Sequence, residues 1–417
     1  MRSRRRLLFI AGATALLAAV ASIASAREYT SPLGPFKDDP PPAQAGTAGC
    51  TDGEPVCAAQ PGDSAIEFPE ALTDLIRAPE DLAIDPSSGS LWFIAPDKTQ
   101  TEADFLYEFK PAEAALKSYA LPITPFEDLF SVITADERGH IILGYDALIV
   151  DFDPSSGAFK QFDLPSPSTH ESPPTDPAGG GWVTDITIGA GRRVYATRMN
   201  VAAITEVDLE TGAVREIPTP RPIGLFADIE FSQGAVWITS PTSNPSAGID
   251  SETGRLDVDT GQYHPIPTKT VALIASSNGD IFALSQPPLS GIVALGGGLV
   301  QPLALDTDPG EVSALNEILG AGTNELALDS SGSLWITPGH HIAKVGPVGL
   351  SVELYELPTY FTSLFSKPPC LGPIADCGPG YVEVIATVSA LAVAPDGDVY
   401  FSDGQGRGRI GVIHAGR

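Results

Sequence analysis

From about residue 80 the chain repeats itself with a mean period of about 50 residues, and a repeat of that length restricts the fold to solenoids and propellers. The clearest copies of the first half-unit are Leu82-Ala83-Ile84-Asp85-Pro86-Ser87-Ser88-Gly89-Ser90-Leu91-Trp92, Leu326-Ala327-Leu328-Asp329-Ser330-Ser331-Gly332-Ser333-Leu334-Trp335 and Leu391-Ala392-Val393-Ala394-Pro395-Asp396-Gly397-Asp398-Val399-Tyr400. Looser copies begin at Ile133, Ile186, Ile229 and Leu273, which makes seven. Each copy reads as two strands, a and b, because apolar residues alternate on either side of an Asp, Ser and Gly turn. The second half-unit reads Val150-Asp151-Phe152-Asp153-Pro154-Ser155-Ser156-Gly157-Ala158-Phe159 and then Phe162-Asp163-Leu164-Pro165, and again Val207 to Pro218. Asp-x-x-x-Gly predicts the hairpin between strands c and d, and a closing Pro suits an outer edge strand whose amide has no partner to meet.

These units predict an all-β, seven-bladed β-propeller over residues 64–417. The last copy ends without a strand d, whereas Ala65-Ile66-Glu67-Phe68-Pro69 matches the strand-d signature at the other end of the repeat region. The N-terminal strand is therefore expected to complete the last blade and close the ring, which removes an exposed edge. An open solenoid would need no such split. Six blades would follow only if the copy at Leu273 were irregular.

Upstream of the repeats, Arg2, Arg4, Arg5 and Arg6 precede an apolar run from Leu7 to about Ile23 and the small residues Ala24-Ser25-Ala26. This is the pattern of a secretory signal peptide over residues 1–26, so a secreted or periplasmic protein is expected, with no membrane association after cleavage. Residues 27–63, with Pro40-Pro41-Pro42 and no apolar periodicity, read as a linker. Removing the signal takes away four Arg and no acid, so 20 of the 24 basic residues remain against 52 acidic ones, a net charge of −32. Such a field disfavours nucleic acid and anionic membranes and favours basic or cationic ligands. The expected partner is a small molecule or a protein, and the chain is expected to be monomeric.

Cys50 and Cys57 share one Pro/Gly-rich loop, Cys370 and Cys377 another, at equal spacing. In an exported protein this pattern predicts two disulfides, with cross-pairing between the loops left open because spacing does not fix connectivity. Zinc is disfavoured, since neither pair has C-x2-C spacing or a neighbouring His.

In a propeller of this topology the d-to-a and b-to-c connections share one face around the channel, where a site is expected. The residues just before the seven strands a are Asp81, Val132, Asp185, Asp228, Ala272, Glu325 and Ala390. Four carboxylates at one mouth repel unless a cation or a shifted pKa relieves them, so Asp81, Asp185, Asp228 and Glu325 are candidate oxygen ligands for Mg²⁺ or Ca²⁺. Otherwise they hydrogen-bond free backbone amides at the strand starts. His340 and His341, in the b-to-c connection of copy six, are candidate general bases. Arg198, ending strand b of copy three, is a candidate for an anionic group or for pairing with Asp185.

The pairing of L-A-x-D-x-x-G-x-L-W with D-x-x-T-G-x-V-x-E-x-P, carried best by Leu326 to Trp335 and Asp208 to Pro218, resembles the blade repeat of the virginiamycin B (streptogramin) lyases. The resemblance spans most of residues 64–413. It implies a seven-bladed propeller and Mg²⁺-dependent opening of a cyclic depsipeptide by elimination, with carboxylates on the metal and a His as base. In those lyases the His stands at the d-to-a edge, and none of the seven aligned positions here carries one. Asp97 and Asp403 follow strand b in copies without an edge His. Three functions are consistent with the sequence: a secreted ligand-binding or scaffold propeller with an acidic channel mouth, a Mg²⁺-dependent lyase of this type, and a calcium-dependent lactonase, for which six blades are expected.

Overall fold

The computed structural model describes residues 56–58, 66–67, 69–72, 79–97, 100–122, 131–165, 181–224, 227–240, 252–285, 291–296, 299–302, 325–337, 341–346, 352–357, 359–363, 381–385, 388–403 and 409–414. The seven sequence copies become seven antiparallel sheets, each with its strands in the order a-b-c-d. Blade three is representative: Val183–Gly189, Arg193–Arg198, Ala203–Asp208 and Val214–Pro218 pair in succession. The other strands a are Leu82–Ile84, Ser131–Ala135, Asp228–Ser232, Thr270–Ala275, Leu326–Leu328 and Val388–Val393. The loose copy at Leu273 forms a full four-stranded sheet, so the ring has seven blades.

Each a-to-b turn is made by a residue whose φ is positive, which glycine adopts without steric cost. Gly89, Gly139, Gly191, Gly234, Gly279, Gly332 and Gly397 fill these seven turns, with φ between 70° and 93°. Where the turn begins with Asp, its carboxylate accepts the turn's own amides: Asp85 from Ser87 at 2.9 Å, Asp136 from Arg138 at 2.8 Å, Asp329 from Ser331 at 2.9 Å.

The buried apolar residues fall into seven clusters, one for each seam between neighbouring blades. Leu82 and Phe93 of blade one meet Tyr400 and Ile410 of blade seven, for instance, and Trp237 of blade four meets Leu273 and Ile281 of blade five. The core is thus distributed around the ring, and strand b has a seam on both faces. Ile141–Tyr145 is accordingly buried at every residue, where a sheet with one wet face would alternate. Polar links reinforce the seams: Arg192 in the blade-three turn reaches back to Asp136 and Asp151 of blade two at 2.7 and 3.0 Å.

Ring closure follows the expected scheme. Ile66 and Glu67 pair antiparallel with Ile413 and Val412 of strand c in blade seven (Arg409–Ile413), supplying its fourth strand. Ile66 is fully buried in the seam with blade six, beside Trp335, Tyr355 and Phe401. Two features lie outside the repeat pattern. Val56–Ala58, within the segment read as a linker, runs parallel to Val352–Leu354 as a fifth strand on blade six. A separate hairpin, Thr359–Ser363 with Tyr381–Ile385, rises from the connection between blades six and seven.

Candidate functional site

Strand a is the innermost strand of each blade, and it starts on the face opposite the Gly turns. A side chain at that start stands at the channel mouth, within reach of the next blade's strand a: Asp81 just precedes its strand, Asp228 opens its own, and Asp185 is the third residue of Val183–Gly189. Asp81 accepts the amide of Leu82 at 2.8 Å through one oxygen and that of Ile133, in blade two, at 2.8 Å through the other. Asp185 repeats the pattern, accepting Ile186 and the blade-four amide of Ile229, each at 2.8 Å. Asp228 accepts Leu273 of blade five at 2.6 Å. One carboxylate with two acceptor oxygens thereby ties two innermost strands together. The alternative expected from the sequence, hydrogen bonding to strand-start amides, is what these three aspartates do, and each reaches across a seam as well.

A second tier lies two residues further along, on the same channel side of the strand. In blade three Thr187 accepts the amide of Phe231 at 3.1 Å, and in blade four Glu230 receives the amide of Ala275. Sequence reasoning missed Glu230. The period-2 alternation from Asp228 was the signal that could have found it.

The carboxyls are enclosed by protein and keep partial access to the channel. Burial is the largest influence on each, and it disfavours the charged form. Asp81 is pushed up to about 7, against the opposing effect of its two amides and with help from Asp228 and Glu80. Glu230 is pushed up to about 8 by burial and by Asp228. Glu325 is held well above the usual carboxyl range by burial and by the charges of Asp81 and Asp228. Asp185 is raised well above its ordinary value by burial, by the charge of Asp228, and by a hydrogen bond to that neighbour. Asp228 is raised by burial while that same bond and the amides of Leu273 and Ile229 favour its ionised form. Burial thus moves both members of this pair toward the neutral form. Asp81, Asp185, Asp228 and Glu325 thus form one electrostatically linked group, as their aligned sequence positions implied.

The other candidates fall elsewhere. His341 opens strand c of blade six (His341–Val345), where its backbone pairs with Glu356. His340, Cys50, Cys370 and Cys377 lie outside the described residues. Cys57 lies in the short strand against blade six, opposite Glu353. Arg198 does not pair with Asp185. It is wholly buried, and it donates to the carbonyls of Gly181 at 2.9 Å and Pro165 at 2.7 Å and to Glu216 at 3.1 Å. Asp403 is buried and bound to Arg409 at 2.8 Å. Each oxygen of Asp81 and of Asp185 accepts one backbone amide, and among the described residues no three His, Cys, Asp or Glu side chains are grouped to hold one ion.

A closed ring of seven four-stranded blades with this strand order can be compared with solved structures. The chain has the fold of a virginiamycin B lyase. The structure of a streptogramin B lyase superposes with a TM-score of 0.54 at 16% identity, covering 84% of this chain and 97% of that one. Virginiamycin B lyase from Staphylococcus aureus gives 0.55 at 15% identity, covering 84% and 99%. The WD40 propeller domain of Doa1 gives 0.51 at 9% identity, covering 85% and 98%. No protein-family model matches the chain, and no curated protein matches it. The Doa1 propeller superposes almost as well, so the likeness establishes architecture, while activity must be argued from the site.

Proposed function

We propose that the protein is an exported, non-catalytic ligand-binding or scaffold propeller whose channel mouth is an acidic site for positive charge. The observation that carries this reading is the linked carboxyl group of Asp81, Asp185, Asp228, Glu230 and Glu325, whose members all favour the neutral form more than free carboxyls do. Positive charge reaches them as protons, shared first through the Asp185 and Asp228 pair. A Ca²⁺ or Mg²⁺ ion at the same mouth is the competing source. Export rests on the Arg-rich, apolar and Ala-Ser-Ala sequence of residues 1–26.

Three aspartates spent on backbone amides support a structural use of the carboxylates over a metal-dependent elimination. The seven blades do not match the six expected of a lactonase. The test is elemental analysis of the purified protein, with thermal melts in EDTA, Ca²⁺ and Mg²⁺. Protein free of metal with superimposable melts is expected; a retained ion whose removal lowers the melt overturns the proton assignment. Incubation with a streptogramin B peptide addresses catalysis separately: the antibiotic should remain intact, and its linearisation would overturn the non-catalytic reading.

A further inference from the structure

Strand c of blade seven is covered on its outer side by a pairing of only two residues, Ile66 and Glu67. The same N-terminal segment is paired upstream, through Val56–Ala58, to the outer strand of blade six. Val56–Ala58 and Ile66–Glu67 therefore add to the outer sides of neighbouring blades six and seven, and the latter pair is called the strap below. His414 follows strand c directly, and its ring bridges the two sides of that strand. Nδ1 lies 2.8 Å from Oδ2 of Asp398 in the a-to-b turn, and Nε2 lies 3.1 Å from Oε2 of Glu67 in the strap.

A neutral imidazole has one N–H and one lone pair, so it satisfies one carboxylate and turns its lone pair toward the other. The imidazolium donates to both. The Asp398 side chain is buried, whereas that of Glu67 is 56% exposed, so the strap is the weaker end of the bridge. The charged groups facing His414 among the described residues are Asp398 and, through the Asp398 amide it caps at 3.2 Å, Asp396 from the turn, with Glu67 from the strap. All are acidic. Hydrophobic burial of Ile66 holds the strap in either state, and the imidazolium adds a fastening that depends on pH.

We propose that His414 is a pH-responsive latch on ring closure, fastening the N-terminal strap when protonated and loosening it when neutral. The device is separate from the channel mouth, which lies at the inner strands. The strap is tightest where the imidazole carries both protons.

The test is hydrogen exchange of the mature chain, residues 27–417, at pH 5.5 to 8.5, corrected for the intrinsic pH dependence of exchange. Strap and strand-c peptides (64–70 and 409–414) are compared with blade-three peptides, which report any change in global stability. Relative protection of the strap should fall about two- to fivefold across this range, the size expected of a partly exposed ion pair. In His414→Gln the ratio should be flat and low throughout. Glu67→Gln, a change on an exposed side chain that the fold tolerates, should weaken the pH dependence in the same direction. A wild-type ratio that does not change with pH overturns the proposal, as does an undiminished slope in either variant.

Discussion

At the scale of single residues, this propeller uses ionisable side chains mainly as backbone acceptors and donors. An aspartate at the start of strand a has two oxygens and meets two amides, one from its own strand and one from the next blade. Val132, Ala272 and Ala390 occupy the same position in blades two, five and seven, so those blades lack the clamp. Arg198 performs the complementary task with donors, joining the carbonyls of Pro165 and Gly181 to Glu216 behind blade three. Burial lowers its pKa while Glu216 opposes the loss of charge. Arg198→Met would leave Glu216 and two carbonyls without their donor; unfolding in urea at neutral pH should show a loss of about 3–5 kcal/mol. An unchanged midpoint would mean that solvent already satisfies those groups. The sequence offered Asp185 as the partner of Arg198 because the two lie close in blade three. It could not reveal that both Asp185 oxygens point along the channel rim.

At the scale of elements, the seams decide what each strand tolerates. Gly144 in strand b of blade two (Ile141–Tyr145) has no room for a side chain: a Cβ there would lie 2.6 Å from Val132 and from Val183 and 3.1 Å from Ile186. The first contact is within the blade and the other two cross the seam to blade three. Gly144→Ala must open that seam and should cost about 1–3 kcal/mol, measured as a lowered denaturation midpoint with faster exchange in blades two and three. Normal stability would show that the valines repack freely. Strands a and b were legible because a glycine turn separates two alternating runs. Val56–Ala58 was not, since a three-residue parallel strand has no period and its partner lies about 300 residues away.

At the scale of the whole molecule, the two faces shift their carboxyl groups in opposite directions. On the turn face, Asp153, Asp208 and Asp257 are shifted below the ordinary range by hydrogen bonds from Ser155, Thr211 and Thr260, respectively, with further bonds in the same turns. At Asp85 and Asp329 burial opposes such bonds, yet the net shift is also downward. These groups stabilise the fold above their unfolded values near pH 4, and that contribution is lost as pH falls through their lower folded values. The channel acids act in the other direction. Their folded values are raised, so the native state binds more protons than the unfolded chain, and the advantage declines as pH rises from about 4 through the values near 7 and 8 of Asp81 and Glu230. Stability should therefore peak in mildly acidic solution, with a Tm several degrees higher at pH 5 than at pH 8. Asp185→Asn, which keeps a donor toward Asp228 without a titrating proton, should flatten that slope. Melts that improve steadily toward pH 8 would contradict the assignment of neutral channel acids.

The sequence by itself determined the blade, the number of blades and the way the ring closes, because a strand's alternation and a glycine turn are encoded within about ten consecutive residues and then repeated. It also aligned the acidic positions at the starts of strands a. Only the tertiary structure decided what the acids there do. Their state depends on ring closure, which brings Asp81, Asp185, Asp228 and Glu325 from four different blades into one shared field and sets backbone amides against their oxygens. Distance and enclosure, which no local pattern specifies, make a row of aligned acids into inter-blade clamps that favour the neutral form more than free carboxyls do.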